Sequence, residues 1–362
     1  KLLLEVKDLK TQFFTDDGIV RAVDGVSFDL ERGKILCVVG ESGCGKSITA
    51  RSILQIVDPP GRVVEGQILF HRMDRNNPLG PSTEVIDLAA LDPRGQKIRE
   101  IRGRDIAMIF QEPMSSLSPI HTIGDQISEA IRLHMPVSKE EAKERTIEML
   151  RRVGIPRPAD RFDAYTFQLS GGMRQRAMIA MALSCGPSLL IADEPTTALD
   201  VTTQAQILDL MLELKAEYGM SIMFITHDLG VVAEMADEVV VMYLGTVAEK
   251  GDVDSIFHDP KHPYTQALLR SIPKLGLRAS GQRLNSIKGM VPDPYNRPNG
   301  CPYHTRCDQF MAGLCDTIVP PPIKLSSAGL DGEREVRCLL YGGASSAQVE
   351  AAQLQSTAVR GV

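Results

Sequence analysis

No stretch of this chain is apolar for long enough to cross a bilayer, which takes roughly 18 or more uninterrupted residues. The longest candidate, Ala177 to Ala192, is cut by Gly186 and Pro187 and runs into Asp193. The opening Lys1-Leu2-Leu3-Leu4-Glu5-Val6-Lys7 is too short an apolar run for a secretion signal. The cytosol is therefore the expected compartment, and the seven cysteines are expected as thiols or metal ligands rather than disulfides. Positive charge is not in excess: 40 Lys and Arg against 46 Asp and Glu give a net charge of −6, a poor basis for general nucleic-acid binding. No internal repeat is present. With 43% hydrophobic and 24% charged residues among 362, disorder is excluded as the main state, and two or three folded domains are expected.

Five apolar runs read as buried strands of a parallel sheet: Ile35 to Val39, Ile106 to Phe110, Leu189 to Ala192, Ser221 to Ile225 and Glu238 to Tyr243. Helix-compatible stretches separate them, so the central fold class is α/β. Leu3 to Val6, Val26 to Leu30 and Gln67 to Phe70 predict a smaller antiparallel patch near the N-terminus. Thr122 to Val153 has helical periodicity with an attractive Glu141–Arg145 pair, and predicts a helical insert. Met73 to Gly95, polar and rich in Asn, Pro and Gly, predicts a surface loop. Pro and Gly recur from Pro292 to Pro322, and Gly342 to Val362 has the small, polar composition of a loose tail.

Three motifs carry chemistry. Gly40-Glu41-Ser42-Gly43-Cys44-Gly45-Lys46-Ser47 lies between a predicted strand and a predicted helix. Glycines let a backbone wrap phosphates with its N–H groups at a helix N-terminus, Lys46 would neutralise the β- and γ-phosphates, and Ser47 would ligate Mg²⁺. Leu189-Leu190-Ile191-Ala192-Asp193-Glu194 ends an apolar strand in two acids beside that loop. Asp193 is expected to hold Mg²⁺ through water, and Glu194 to orient and deprotonate an attacking water. Leu169-Ser170-Gly171-Gly172-Met173-Arg174-Gln175-Arg176 forms a second anion site at a helix N-terminus. One nucleotide does not need two γ-phosphate cradles, but two copies placed head to tail would use both.

The octet from Leu169 to Arg176 resembles the signature of the ATP-binding-cassette ATPases, and the flanking elements agree in order. The resemblance covers residues 3 to about 250. It implies an ATP hydrolase with a P-loop core, an N-terminal antiparallel subdomain and a helical subdomain at about 114–166. It also implies that Gln111, in Phe110-Gln111-Glu112-Pro113, reaches Mg²⁺ and the attacking water. By the same resemblance Asp200 belongs to a loop at a dimer seam, His227 contacts the γ-phosphate, and Phe13 or Phe14 stacks on adenine, with Phe13 favoured by its register after Leu9. Ser170, Gly171, Gly172 and Gln175 would close over the ATP of the partner copy.

The segment Asp259 to Leu269, with His262-Pro263-Tyr264, resembles the C-terminal extension of oligopeptide and dipeptide importer ATPases, as does Gly300 to Cys307. That implies domains at 1–255 and 256–342, with a tail at 343–362. It further implies a second ATPase subunit, usually a paralogue, two transmembrane permease subunits, and indirectly a periplasmic solute-binding protein. The location implied is the cytoplasmic side of the inner membrane. Related cassettes serve oligosaccharide or nickel uptake, so the solute stays open, and a soluble cassette ATPase is the remaining alternative.

Cys301, Cys307, Cys315 and Cys338 cluster in the extension. Zinc sites favour C-x2-C knuckles, which are absent here. A [4Fe–4S] cluster takes four thiolates at longer spacings, and the resemblance implies one. Zinc or plain buried thiols are the alternatives.

Overall fold

The computed structural model describes residues 1–74, 77–111, 116–197, 199–272, 287–326 and 333–342. The expected tail at 343–362 lies outside them, as do Glu112, Pro113 and Ala198 beside the predicted motifs.

Near the N-terminus, β1 (Leu2–Thr15) and β2 (Gly18–Glu31) form a long hairpin. The strand β4 (Gly61–Asp74) pairs with the other edge of β1, and β5 (Asn77–Asp87) pairs with β4, giving the order β2-β1-β4-β5. The expected antiparallel patch is present and extends well beyond the short runs that announce it. Its register places Leu4 opposite Phe70 and Val6 opposite Ile68, all buried. The expected loop at Met73 to Gly95 is corrected by β5 and by a 3-10 turn at Leu88–Ala90. Ile86 and Leu88 are buried there, and the Asp87 carboxylate accepts N–H groups of Ile68 and Ala89, so local polarity gave way to tertiary anchoring.

The main sheet has the order β11-β12-β10-β9-β3-β8-β7-β6. Its centre is parallel: β9 (Glu238–Tyr243), β3 (Ile35–Val39), β8 (Ser221–Thr226), β7 (Leu189–Asp193) and β6 (Ile106–Ile109). Every residue of β3, β7 and β8 is buried, as unbroken apolar runs require when both faces are covered. Alternate residues feed two cores. Leu36, Val38, Ile191 and Met223 join the core beneath β1 and β2, whereas Cys37, Val39, Ala192 and Phe224 join the core on the other face.

Three antiparallel strands complete one edge: β10 (Thr246–Asp252), β12 (Glu333–Val336) and β11 (Ile323–Ser326). The C-terminal extension thus continues the sheet. A buried ion pair seals the join. Arg334 on β12 donates to Glu249 on β10 at 2.7 Å, and Glu249 also accepts the backbone N–H groups of Lys261 and His262 at 2.9 Å each.

Among the described residues the helices are α1 (Lys46–Ile53), α2 (Gln96–Ile101), α3 (Ile123–His134), α4 (Lys139–Arg152), α5 (Pro158–Phe162), α6 (Gly171–Leu183), α7 (Val201–Tyr218), α8 (Leu229–Met235), α9 (Val253–His258) and α10 (Pro263–Arg270). The expected helical insert is α3 to α5. Thr122 and Ser138 cap the first two by accepting N–H groups of Asp125 and Glu141. Ser128 and Thr146 share a buried hydrogen bond of 2.9 Å between them.

Candidate active site

The loop from Gly40 to Gly45 joins the end of β3 to the start of α1, so its N–H groups converge at a helix N-terminus. Two glycines are sterically required. Gly40 (φ +150°) leaves room for no Cβ, which would lie 2.2 Å from the Met242 carbonyl oxygen. Gly45 (φ +97°) would place one 2.3 Å from that of Ala22. Ser42 and Gly43 are exposed at the tip. Lys46 is buried, and its Nζ donates to the carbonyls of Gly40 at 2.9 Å and Glu41 at 3.2 Å, within the loop it serves. Cys44 is only 1% exposed, and burial pushes its thiol pKa up. Its side chain therefore belongs to the core, and what it can offer a phosphate is its backbone N–H.

Ser47 Oγ donates to Asp193 Oδ1 at 2.9 Å, bringing together two of the oxygens expected around Mg²⁺. A hydroxyl beside a carboxylate suits a hard cation, so the donor set fits that ion. Burial raises the Asp193 pKa, the Ser47 bond opposes that, and neighbouring Glu194 adds to it.

Glu194 follows in a left-handed conformation, φ +46°, that a non-glycine residue adopts at a cost of roughly 1–3 kcal/mol. Its backbone N–H is held by the Ile225 carbonyl at 2.9 Å. One carboxylate oxygen accepts from Gln111 Nε2 at 3.3 Å and Thr197 Oγ1 at 3.0 Å. The other lies 3.3 Å from His227 Nδ1. Gln111, Glu194 and His227, far apart in the chain, thus meet at the C-terminal edge of the sheet. Thr197 was not anticipated; only its place one turn beyond Glu194 hints at it. The His227 side chain is 59% exposed and free to meet a ligand.

Ser170 caps α6, its Oγ accepting the Met173 N–H at 3.3 Å, and Gly171 is exposed beside it. Gly172 faces Thr203 Cγ2, which would lie 3.0 Å from an added Cβ. Thr203 in turn donates twice to Asp200, the cap of α7, at 3.0 and 2.8 Å, and these bonds lower the Asp200 pKa. Ser170, Gly171 and Asp200 therefore share one surface. Gln175 does not join them: it is 1% exposed and points into the core.

Residues 23–197 match the ABC transporter family, and residues 248–315 match the oligopeptide/dipeptide transporter C-terminal region. A putative peptide import ATP-binding protein of Brucella ovis is 50% identical over 324 residues, spanning 88% of this chain and 93% of that protein. The chain belongs to the ABC transporter family. Dipeptide transport ATP-binding proteins named DppD are 46% identical in Haemophilus influenzae (93% of this chain, 94% of that protein) and 47% identical in Escherichia coli (84% and 88%). The fold agrees with a dimeric bacterial ABC transporter cassette at a TM-score of 0.59, with 25% identity over 69% of this chain and 99% of that one. As an ABC ATPase, the chain hydrolyses ATP. No helix among the described residues is long and apolar enough to cross a membrane.

Two other expected elements of this ABC ATPase can be located. Phe13 is half-buried, its ring beside Gly61, where an added Cβ would lie 2.5 Å from it, while Phe14 is exposed beneath the Arg62 guanidinium at 4.5 Å. Cys301, Cys315 and Cys338 are buried and Cys307 half-buried, all as free thiols. Burial pushes their pKa values up, to about 11 for Cys301 and about 12 for Cys307 and Cys338, and neighbouring cysteines add to the rise in those three. Among the described residues no three His, Cys, Asp or Glu side chains gather into a group that could hold a metal ion.

Proposed function

We propose that this chain powers peptide import as one of two ATPase subunits docked beneath two transmembrane permeases on the cytoplasmic side of the inner membrane. The observation that carries this reading is the identity of 46–50% with relatives named for peptide or dipeptide import, extending through the C-terminal segment. Residues 1–255 form the hydrolytic unit and 256–342 the extension. The second ATPase is a paralogue, and a periplasmic solute-binding protein delivers the peptide.

In hydrolysis, Lys46 leaves its loop carbonyls for the β- and γ-phosphates, and the loop N–H groups from Ser42 to Ser47 surround them. Ser47, Gln111 and Asp193 would hold Mg²⁺, which screens phosphate charge. Glu194 accepts the proton of the attacking water, oriented by Gln111 and Thr197, while His227 meets the γ-phosphate. Phe13 supports adenine. Ser170, Gly171 and Gly172, beside Asp200, close over the nucleotide of the paired ATPase; the exposed Ser170–Asp200 surface supports that role, and inward-facing Gln175 acts only by packing.

The four cysteines are read as ligands of a [4Fe–4S] cluster, a reading supported by four thiols, three of them buried, in a short segment of little regular structure. Such a group would cross-link the stretch from Cys301 to Cys338. Anaerobic protein with neither iron nor sulfide would end that reading.

The test of the main reading is the assembled complex in vesicles with binding protein inside. ATPase activity stimulated by di- or oligopeptides is expected. Stimulation by nickel or oligosaccharides, with none by peptides, would replace the solute class.

A further inference from the structure

The extension grips the phosphate loop at one residue, Glu41. Tyr264, fully buried in the first turn of α10, accepts the Glu41 backbone N–H through its hydroxyl at 2.9 Å. Arg306 takes the carboxylate of the same residue in a bidentate pair, Nη1 to Oε2 at 2.6 Å and Nη2 to Oε1 at 3.0 Å. The Arg306 side chain is 3% exposed. Its remaining capacity goes to the Lys288 carbonyl (2.9 Å), the Gly289 carbonyl (3.3 Å) and the Tyr243 hydroxyl (3.3 Å). Such a guanidinium has one position. The rings of Tyr243, Tyr264 and Tyr303 pack on one another with centroids 4.7–5.3 Å apart, and the guanidinium lies over the Tyr243 ring at 5.8 Å.

The electrostatics give this grip a purpose. Glu41 is the second residue of a loop built to hold a polyanion, and a free carboxylate there repels phosphates. Lys46 is bonded to loop carbonyls and must turn to the phosphates when they arrive. The cation that balances Glu41 comes from the extension.

We propose that Arg306 and Tyr264 are positioning residues for ATP binding: Arg306 neutralises Glu41 and holds its carboxylate on the extension, while Tyr264 holds its backbone N–H, so that nucleotide affinity depends on a segment outside the cassette's motifs. This rests on Gly40 to Ser47 being the phosphate loop.

The test is calorimetric titration of the full chain with MgADP. Arg306→Gln is expected to raise Kd about tenfold, the size of one uncompensated charge roughly 10 Å from the phosphates at an effective dielectric of about 20, and more at low salt than at high. Glu41→Gln added to Arg306→Gln is expected to restore affinity, because the repelling charge is gone; loss of packing alone would not be rescued this way. Unchanged Kd in the single variant, or no recovery in the double, overturns the proposal. Should Arg306→Gln fail to fold, Glu41→Gln alone decides: equal or tighter binding is required, and a tenfold loss overturns it. A Lys46→Ala chain that binds MgADP normally would instead overturn the phosphate-loop reading itself.

Discussion

Acid is expected to loosen the extension through His262. This residue caps α10, its Nδ1 accepting the Tyr264 N–H at 3.0 Å, and it is 3% exposed with its ring 5.9 Å from that of Tyr303. Burial lowers its pKa from the ordinary 6.5 to about 4, with a contact to the Arg337 backbone opposing slightly. The folded state therefore holds the neutral ring, and the unfolded chain binds more protons between those two values. Stability from this site is fully present above pH 6.5 and is lost as pH falls toward 4. At pH 5 the loss is about 2 kcal/mol, approaching about 3 kcal/mol at the lower limit. His262→Asn keeps a capping oxygen for Tyr264 without a titrating ring. Urea unfolding at pH 7 and pH 5 is expected to show the wild type losing about 2 kcal/mol more than this variant. Equal losses, or an NMR titration of His262 centred near 6.5, would refute the reasoning.

Glu194→Gln is expected to keep ATP binding and to lower hydrolysis roughly 10²–10⁴-fold, the range for a lost general base; equal loss of binding would remove Glu194 from that role. Ser170→Arg is expected to leave MgATP affinity of the isolated chain unchanged while abolishing turnover in the assembled transporter, and a large loss of monomer affinity would contradict a head-to-tail pair. Arg334→Met strands the fully buried Glu249 carboxylate, with an expected cost of about 3–5 kcal/mol in chemical denaturation; a cost below about 1 kcal/mol would mean that backbone donors alone satisfy Glu249.

The nucleotide site was legible because its chemistry is local. The phosphate loop, the acidic strand end and the signature turn each carry their donors within one short segment, and the unbroken apolar runs fix the parallel sheet around them. What stayed hidden depends on contacts between distant residues. The strand β5 is polar in sequence and is held by Asp87 and the buried Ile86 against β4. Gln175 and Cys44 lie inside functional motifs yet point into the core, since neither helix phase nor loop geometry reveals which way one side chain turns. The His262-Pro263-Tyr264 motif reads locally as a capped helix start. Only the fold shows Tyr264 meeting a loop residue 223 positions earlier.

That meeting has a thermodynamic consequence. If Glu41 couples the extension to the nucleotide, the coupling is reciprocal: whatever steadies the extension raises nucleotide affinity, and bound nucleotide steadies the extension by the same factor. Arg306 ends a 3-10 turn, His304–Arg306, with Cys301 and Cys307 on either side, and the turn is closed by hydrogen bonds from His304 N–H to Cys301 and from Cys307 N–H to His304. Cys301→Gly, which removes a buried side chain and frees the backbone whose carbonyl closes that turn, is therefore expected to weaken MgADP binding although Cys301 lies outside the phosphate loop. Saturating MgADP is expected to slow proteolysis between residues 287 and 326 in the wild type, and to do so less in Arg306→Gln, where the link is cut. Protease protection that is the same in both chains would show that the extension and the nucleotide site are mechanically independent.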